Sequence, residues 1–492
     1  MPTAARHARS ASSDPDQGPG AGLPFAALTA LVVGSMIGGG IFSLPAQMGA
    51  VAAPGPVLIG WLITGVGMLM LAFVFQTLAT KRPMIDGGVY GYARAGFGNV
   101  VGFSSAWGYW VSAWVGNVAY FVLLFGTLGF FFPQFGEGTT PLAILCGSVL
   151  LWAYTALVLR GVREAALLNA VVTVAKIVPI VLFVVLTAIA FKLEVFTADF
   201  WGRMTRIEGA SLGSTMDQIK GTMLVTVWVF IGIEGASIFS KRAAKRSDVG
   251  RATVLGFLAV LALLVFVNLV SYGVMAQADL AGLAEPSMAG VLQSVVGGWS
   301  GLLISIGLIV SVLGALLSWT LLCAEILLRP AKDGVMPAWM GKENRRGAPV
   351  GAVLATSACI QGMLLWTLVN EGTYTSLIYL ASALVLLPYL LAAAYQVLTA
   401  ICDRGTGEQL TTKDLVVGIL ALIYAAWLVY AAGLAYVLIG CLFYLVGGLF
   451  YAWARIERGR PVLRGAEYLV AALIVLGSVF AVLGFMNGAI SI

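Results

Sequence analysis

Apolar residues run along this chain in blocks of roughly 20 to 30, broken by short stretches rich in Gly, Pro and charge. A helix rises about 1.5 Å per residue, so roughly 20 apolar residues cross about 30 Å of hydrocarbon, and blocks of this length predict transmembrane helices. Thirteen candidate spans fall near 24–49, 55–80, 99–131, 141–159, 164–191, 218–240, 252–276, 291–328, 349–369, 373–401, 414–432, 434–454 and 467–487. The odd count rests on dividing 414–454 at Ala432–Gly433, and it places the two chain ends on opposite sides of the membrane.

Composition supports lipid as the solvent. With 60% hydrophobic and 10% charged residues among 492, and a mean hydropathy of +0.96, no globular surface could keep this chain in water. The pI near 9.0 would ordinarily suggest a nucleic-acid partner, but the basic residues lie in short loops between spans rather than in one stripe. With the N-terminus placed in the cytoplasm, the inside loops hold Lys81, Arg82, Arg94, Arg160, Arg163, the 241–251 cluster, Arg329, Lys332, Lys342, Arg345, Arg346, Arg404, Lys413 and Arg455 to Arg464. Lys192, Arg203, Arg206 and Lys220 fall outside, an asymmetry that predicts a multi-pass inner-membrane protein with no nucleic-acid partner.

Met1 to about Gly22 reads as a cytoplasmic, disordered tail without a secretory signal, and it carries the single histidine, His7. Cys146, Cys323, Cys359, Cys402 and Cys441 stand singly, at neither metal nor disulfide spacing, so no metal or other cofactor is expected. Ile41-Phe42-Ser43 in the first span is echoed by Ile238-Phe239-Ser240 in the sixth, and the two segments run oppositely through the membrane, as an inverted repeat requires. The expected division is a tail at 1–22, a first repeat at 23–191, a second at 218–401 and accessory spans at 414–487.

Chemistry concentrates in three spans. The first contains Gly38-Gly39-Gly40 in mid-membrane, where missing side chains let a ligand reach backbone and let the helix unwind. Unwinding would offer N–H groups to a carboxylate and carbonyls to an ammonium, although three glycines also serve plain helix packing. The sixth reads Trp228-Val229-Phe230-Ile231-Gly232-Ile233-Glu234-Gly235-Ala236, placing a carboxyl in apolar surroundings where it must be paired, hydrated or neutral. The fifth holds Lys176, the one basic residue inside a span, under the same demand. Glu325 and Arg329, four apart in the eighth span, read as an ion pair on one helix face. A membrane enzyme would need a nucleophile, metal cluster or acid–base constellation, and a channel would need pore rings or filter loops. Neither pattern stands in the sequence.

These residues resemble the basic amino acid/polyamine antiporters of the amino acid-polyamine-organocation superfamily, with the arginine/ornithine antiporters as the nearest group. The first-span Gly-Gly-Gly-Ile-Phe, the run at 228–236, Asp86-Gly87-Gly88-Val89-Tyr90-Gly91-Tyr92-Ala93-Arg94 and Ser318-Trp319-Thr320-Leu321-Leu322 carry the resemblance, which covers about 24–400. It implies an all-α polytopic membrane protein with a five-plus-five inverted-repeat transporter fold, two or three additional C-terminal transmembrane helices, and a commonly homodimeric state in lipid. It also implies exchange of a cationic amino acid, arginine, for a related amine or amino acid, ornithine. Proton-coupled uptake and lysine/histidine-type amine exchange are the alternatives.

Residue by residue, the resemblance assigns the substrate carboxylate to backbone and small groups at Gly39 and Gly40, with Gly38 beside them in the binding site, and the α-amino group to carbonyls near Met36, Trp228 and Ile231. Trp228 and Trp319 become aromatic walls, Tyr109 a gating residue, and Ser112, Ala113 and Asn117 the floor beneath a distal cation. Glu234 and Lys176 become proton- or ion-coupling residues, with Lys176 in the place where sodium-coupled relatives hold their ion. Arginine-exchanging members carry a serine where this chain has Gly39, so only the backbone contact carries over there.

Overall fold

A computed structural model describes residues 36–161, 165–234, 246–370, 373–402 and 409–490, with a few positions between 25 and 34. The tail at 1–22, the second Ile-Phe-Ser triplet at 238–240 and the basic residues at 241–245 lie outside the described residues.

Among the described residues, nine helices are long and apolar enough to cross a membrane. They include the second span (Pro54–Lys81), third (Asn99–Gly129), fourth (Pro141–Leu159), eighth (Trp299–Asp333), ninth (Val350–Asn370) and tenth (Tyr374–Cys402). The fifth (Ala165–Ile189) and seventh (Arg246–Val274) complete the run of helices between the broken first and sixth spans and the eighth. A single helical run, Thr412–Glu457, has 46 residues, about 69 Å if straight and more than twice the hydrocarbon thickness. It leaves helical geometry at Gly433, where φ is 83° and ψ 158°, a conformation open to glycine, and so divides where the sequence places the boundary. Glu467–Met486 follows as the last span.

Polar residues mark helix starts where the chain leaves the membrane. Ser214 with Asp217, and Thr411 with Asp414, form reciprocal capping boxes at the sixth and eleventh spans, satisfying N–H groups that lipid could not. Asp414 also pairs with Lys81 at 3.0 Å, fastening the eleventh span to the end of the second.

The first packs on the sixth, the second on the seventh, the third on the eighth and the fourth on the ninth. Each contact joins elements that a five-plus-five repeat makes equivalent. The third span is buried along nearly its whole length and forms the central post.

The basic loops gather at one end of the bundle. Arg94 bonds Asp333, Arg346 bonds the Arg160 carbonyl at 2.8 Å, and Arg458 bonds the Ala331 carbonyl at 2.7 Å. At the opposite end, the Lys192 N–H meets the Gly273 carbonyl at 2.8 Å and the Gly55 N–H meets the Phe200 carbonyl at 2.8 Å. These ends are called the basic face and the far face below.

The accessory spans dock through close approach at glycine. A Cβ on Gly67 would lie 2.1 Å from the Tyr424 ring, so the second and eleventh spans fit only because Gly67 has no side chain. Gly67→Ala is expected to destabilise the protein by about 1–3 kcal/mol through overpacking, read as a lowered unfolding temperature in detergent. An unchanged temperature would mean that the two spans part freely.

Candidate functional site

The first span loses helical geometry at Ile37, Gly38 and Gly39 and resumes as Gly40–Val51. The carbonyls freed at the end of the first part find a cation: Lys176 Nζ donates to the Gly34 oxygen at 2.7 Å and to the Ile37 oxygen, and Lys176 is only 3% exposed. A buried ammonium at the carbonyl end of a helix is favoured by the helix dipole and by direct bonds to its unpaired acceptors. Ser311 of the eighth span adds a bond to the Gly38 carbonyl at 3.4 Å.

The glycine triplet fits among large neighbours. A Cβ on Gly38 would meet the Tyr120 hydroxyl at 2.4 Å, one on Gly39 would meet Leu123 at 2.8 Å, and one on Gly40 would meet Trp228 at 2.9 Å. The space that a serine at 39 would need is therefore taken by Leu123, Val312 and Tyr120 in this conformation.

The sixth span breaks in the mirrored sense. Its helix, Thr215–Phe230, ends where Ile231 takes ψ 129° and Gly232 takes φ 107°, and a turn carries the chain to Glu234. Glu234 bends back so that the Gly232 N–H donates to its Oε1 at 3.2 Å. Tyr109 of the third span donates its hydroxyl to the same oxygen, and Tyr389 of the tenth donates to Oε2 at 2.6 Å. A carboxyl only 5% exposed is thus held by donors from the third, sixth and tenth spans, which compensates its removal from water.

Two spaces adjoin the breaks. The first, enclosed by Met36, Ile37, Gly38, Gly40, Ile41, Tyr120, Trp228, Val229, Ile231 and Leu264, amounts to about 10 Å³, the threshold for a single water. Trp228 fills it: the indole packs on Tyr120 with centroids 5.3 Å apart, lies against Gly116, and donates to the Tyr374 hydroxyl at 3.2 Å. The second is a cavity of about 490 Å³ on the basic face, running from the connection between the second and third spans inward to Tyr109 and Glu234. The Glu234 clamp stands at its inner end.

Of the residues expected to meet substrate, Met36, Gly38, Gly40, Trp228 and Ile231 line the small space, and Gly39 packs directly behind it. Tyr109 and Glu234 line the large cavity. Ser112 is buried and donates to the Ala381 carbonyl at 2.6 Å; Ala113 is buried beside it. Asn117 is wholly buried with neither amide atom hydrogen-bonded, and it lines neither space. Trp319 is partly buried and lines neither space. Arg329 does not pair with Glu325: it reaches Asp333 at 3.3 Å and Asp86 at 3.7 Å. Asp333 stands at the other i, i+4 position on the same helix, and Asp86 arrives from the loop after the second span, so spacing alone does not choose between Glu325 and Asp333.

Tyr120, Tyr374 and Tyr389 were not singled out from sequence. A tyrosine within an apolar run reads as packing, and only the fold shows that these three hydroxyls converge on the two breaks.

The description "amino acid permease" belongs to the family whose profile matches residues 23–452. The chain is 55% identical to an arginine/ornithine antiporter of Pseudomonas aeruginosa over 476 residues, covering 95% of this chain and 98% of that protein. It is 45% identical to an L-lysine transport protein of Corynebacterium glutamicum, covering 94% and 95%, and 40% identical to an arginine/agmatine antiporter of Chlamydia pneumoniae, covering 95% and 97%.

The clamp is testable as a coupled unit. Tyr389→Phe leaves the buried carboxyl one donor short and is expected to cost about 1–3 kcal/mol of stability in detergent. In the Glu234→Gln background the same change is expected to cost distinctly less, giving a coupling of at least about 0.5 kcal/mol in a double-mutant cycle. Additive effects would mean that the hydroxyl and the carboxyl act independently.

Proposed function

The chain belongs to the amino acid permease family, and from that premise we propose that it exchanges arginine for ornithine across the bacterial inner membrane by alternating access. The observation that carries this reading is the Glu234 clamp, a buried carboxyl at the junction between two broken helices and an open cavity. A carboxyl there suits a substrate with a net positive charge, and the relatives named above share arginine, ornithine, agmatine or lysine as cargo in their names.

Basic loops face the cytoplasm by the positive-inside rule, so the N-terminus is cytoplasmic and the large cavity opens inward. The structure then corresponds to an inward-facing carrier with its central pocket collapsed around Trp228. For substrate to bind there, Trp228 must leave Tyr120 and Gly116. The N–H groups at Gly39 and Gly40 would take the carboxylate, and the carbonyls near Met36, Trp228 and Ile231 the α-amino group. The space above Asn117, Ser112 and Ala113 would take the distal cation, with Tyr109 turning as a gate. Trp319 would join the pocket only after the eighth span shifts. Glu234, released from one tyrosine as a cation arrives, would link side-chain charge to opening. Lys176 holds the first break with its own charge, where a sodium ion would otherwise be needed. Membrane lipid covers the outward apolar faces of the accessory spans, and a homodimer would use the same faces.

Labelled arginine is expected to enter proteoliposomes loaded with arginine or ornithine and not empty ones, at the same rate when choline replaces sodium. Accumulation in empty vesicles driven by a pH gradient would favour proton-coupled uptake instead. Exchange that appears only with sodium would overturn the role given to Lys176.

A further inference from the structure

The cavity on the basic face carries charges that the exchange reading does not use. Its wall on the eighth span presents Leu322, Glu325, Ile326, Arg329 and Lys332, spaced by three or four residues and so gathered on one helix face. The facing wall brings Arg82 and Asp86 from the end of the second span and its loop, and Glu234 closes the inner end. Most of these groups are already engaged. Arg329 pairs with Asp86 and Asp333, Lys332 with Glu343 at 3.1 Å, and Arg82 donates to the Lys81 carbonyl at 3.0 Å. Among the described residues Glu325 has neither an ion pair nor a hydrogen bond, and it is exposed to the cavity.

We infer that this cavity is a second, shallower binding site for a cationic amino acid, in which Glu325 holds the charged head of the side chain before it reaches Glu234. The inference rests on the cationic-exchanger reading and adds a place on the inward route. Three features fit that ligand class together. Glu325 supplies a carboxyl that, among the described residues, is held by neither an ion pair nor a hydrogen bond. Phe75, Ile85, Val89, Leu322 and Ile326 line the cavity with apolar surface for an aliphatic stem. Arg329 and Lys332 stand about 6 and 10.5 Å further along the helix axis, nearer the mouth. An extended arginine separates its carboxylate carbon from its guanidinium carbon by roughly 7.5 Å over six bonds, so one molecule bridges Glu325 and these cations. A volume of about 490 Å³ lies within the range of small-molecule sites. A neutral amino acid would make only half of these contacts, so the site would sort cargo by charge on the cytoplasmic side before the gate is engaged.

The test uses the full-length protein reconstituted in one orientation, with KM for arginine and for ornithine measured separately at each face. Glu325→Gln is expected to raise KM at the cytoplasmic face about 5–20-fold, leaving KM at the outer face and the maximal rate within about twofold. Glu325→Asp should recover part of the loss. Raising salt should increase cytoplasmic KM in the parent and much less in the Gln variant, because the capture is electrostatic. An unchanged cytoplasmic KM, or an equal rise at both faces, would overturn the second site. If the parent protein exchanges no cationic amino acid at all, it is the transport reading that fails. Equilibrium binding of labelled arginine in detergent then decides the site by itself: weaker binding in Glu325→Gln supports it and equal binding refutes it.

Discussion

A helix interrupted inside hydrocarbon leaves backbone carbonyls and N–H groups that lipid cannot satisfy, and each one costs several kcal/mol if left alone. This chain interrupts two helices, and the side chains of opposite charge that it buries nearby answer that cost. Lys176 takes the carbonyls of Gly34 and Ile37 at the end of one half-helix. Glu234 takes the N–H of Gly232 at the other break. Backbone carbonyls alone meet the lysine, but the carboxyl needs more: Glu234 also takes the hydroxyls of Tyr109 and Tyr389, which come from the third and tenth spans. The breaks thereby recruit the scaffold, and the central post is fixed to the broken sixth span by a bond rather than by packing only.

Glycine makes the same region compact. Gly38, Gly39 and Gly40 let the first span lie against Tyr120, Leu123 and Trp228 at distances no larger residue permits. The consequence is a space of only about 10 Å³ beside the triplet, with the Trp228 indole packed on Tyr120 in its wall. The indole is fixed there by its bond to the Tyr374 hydroxyl, which ties the sixth span to the tenth.

Much of this was legible in the sequence because it depends on local pattern. The length of apolar runs gives the spans, the glycine triplet marks the first break, and a carboxyl and a lysine inside apolar runs announce themselves by their cost. Even the division at Gly433 follows from a 46-residue run too long for one crossing. What the sequence withheld depends on contacts between distant segments. Tyr389 lies 155 residues from the carboxyl it bonds, and nothing in its own span distinguishes it from a packing tyrosine. The i, i+4 rule paired Glu325 with Arg329, yet Asp86 and Asp333 compete for the same guanidinium, leaving Glu325 uncommitted. Local rules name which groups need partners, and topology decides which partners they get.

The two faces are held by different chemistry, and that difference bears on how the carrier can alternate. On the far face, the resumed half of the first span is fastened by buried polar bonds. Ser287 accepts from the Ala46 N–H at 3.2 Å, Gln277 donates to the Gly49 carbonyl at 3.0 Å, Gln218 accepts from the Ala53 N–H at 2.9 Å, and Tyr272 donates to the Ala52 carbonyl at 2.6 Å. Each is worth only about 0.5–1.5 kcal/mol net, because water replaces either partner once the face opens. On the basic face the elements around the cavity are joined by charged, partly exposed groups, with Arg94, Asp333, Arg329 and Asp86 in one network, and such pairs contribute little each at a wet surface. A seal of apolar side chains would have to expose that surface to water every cycle at a cost proportional to area. Leu280, Met288, Val291 and Leu292 add buried apolar contact beside those polar bonds on the far face, so parting that face costs apolar exposure as well, while the charged network of the basic face parts at little cost.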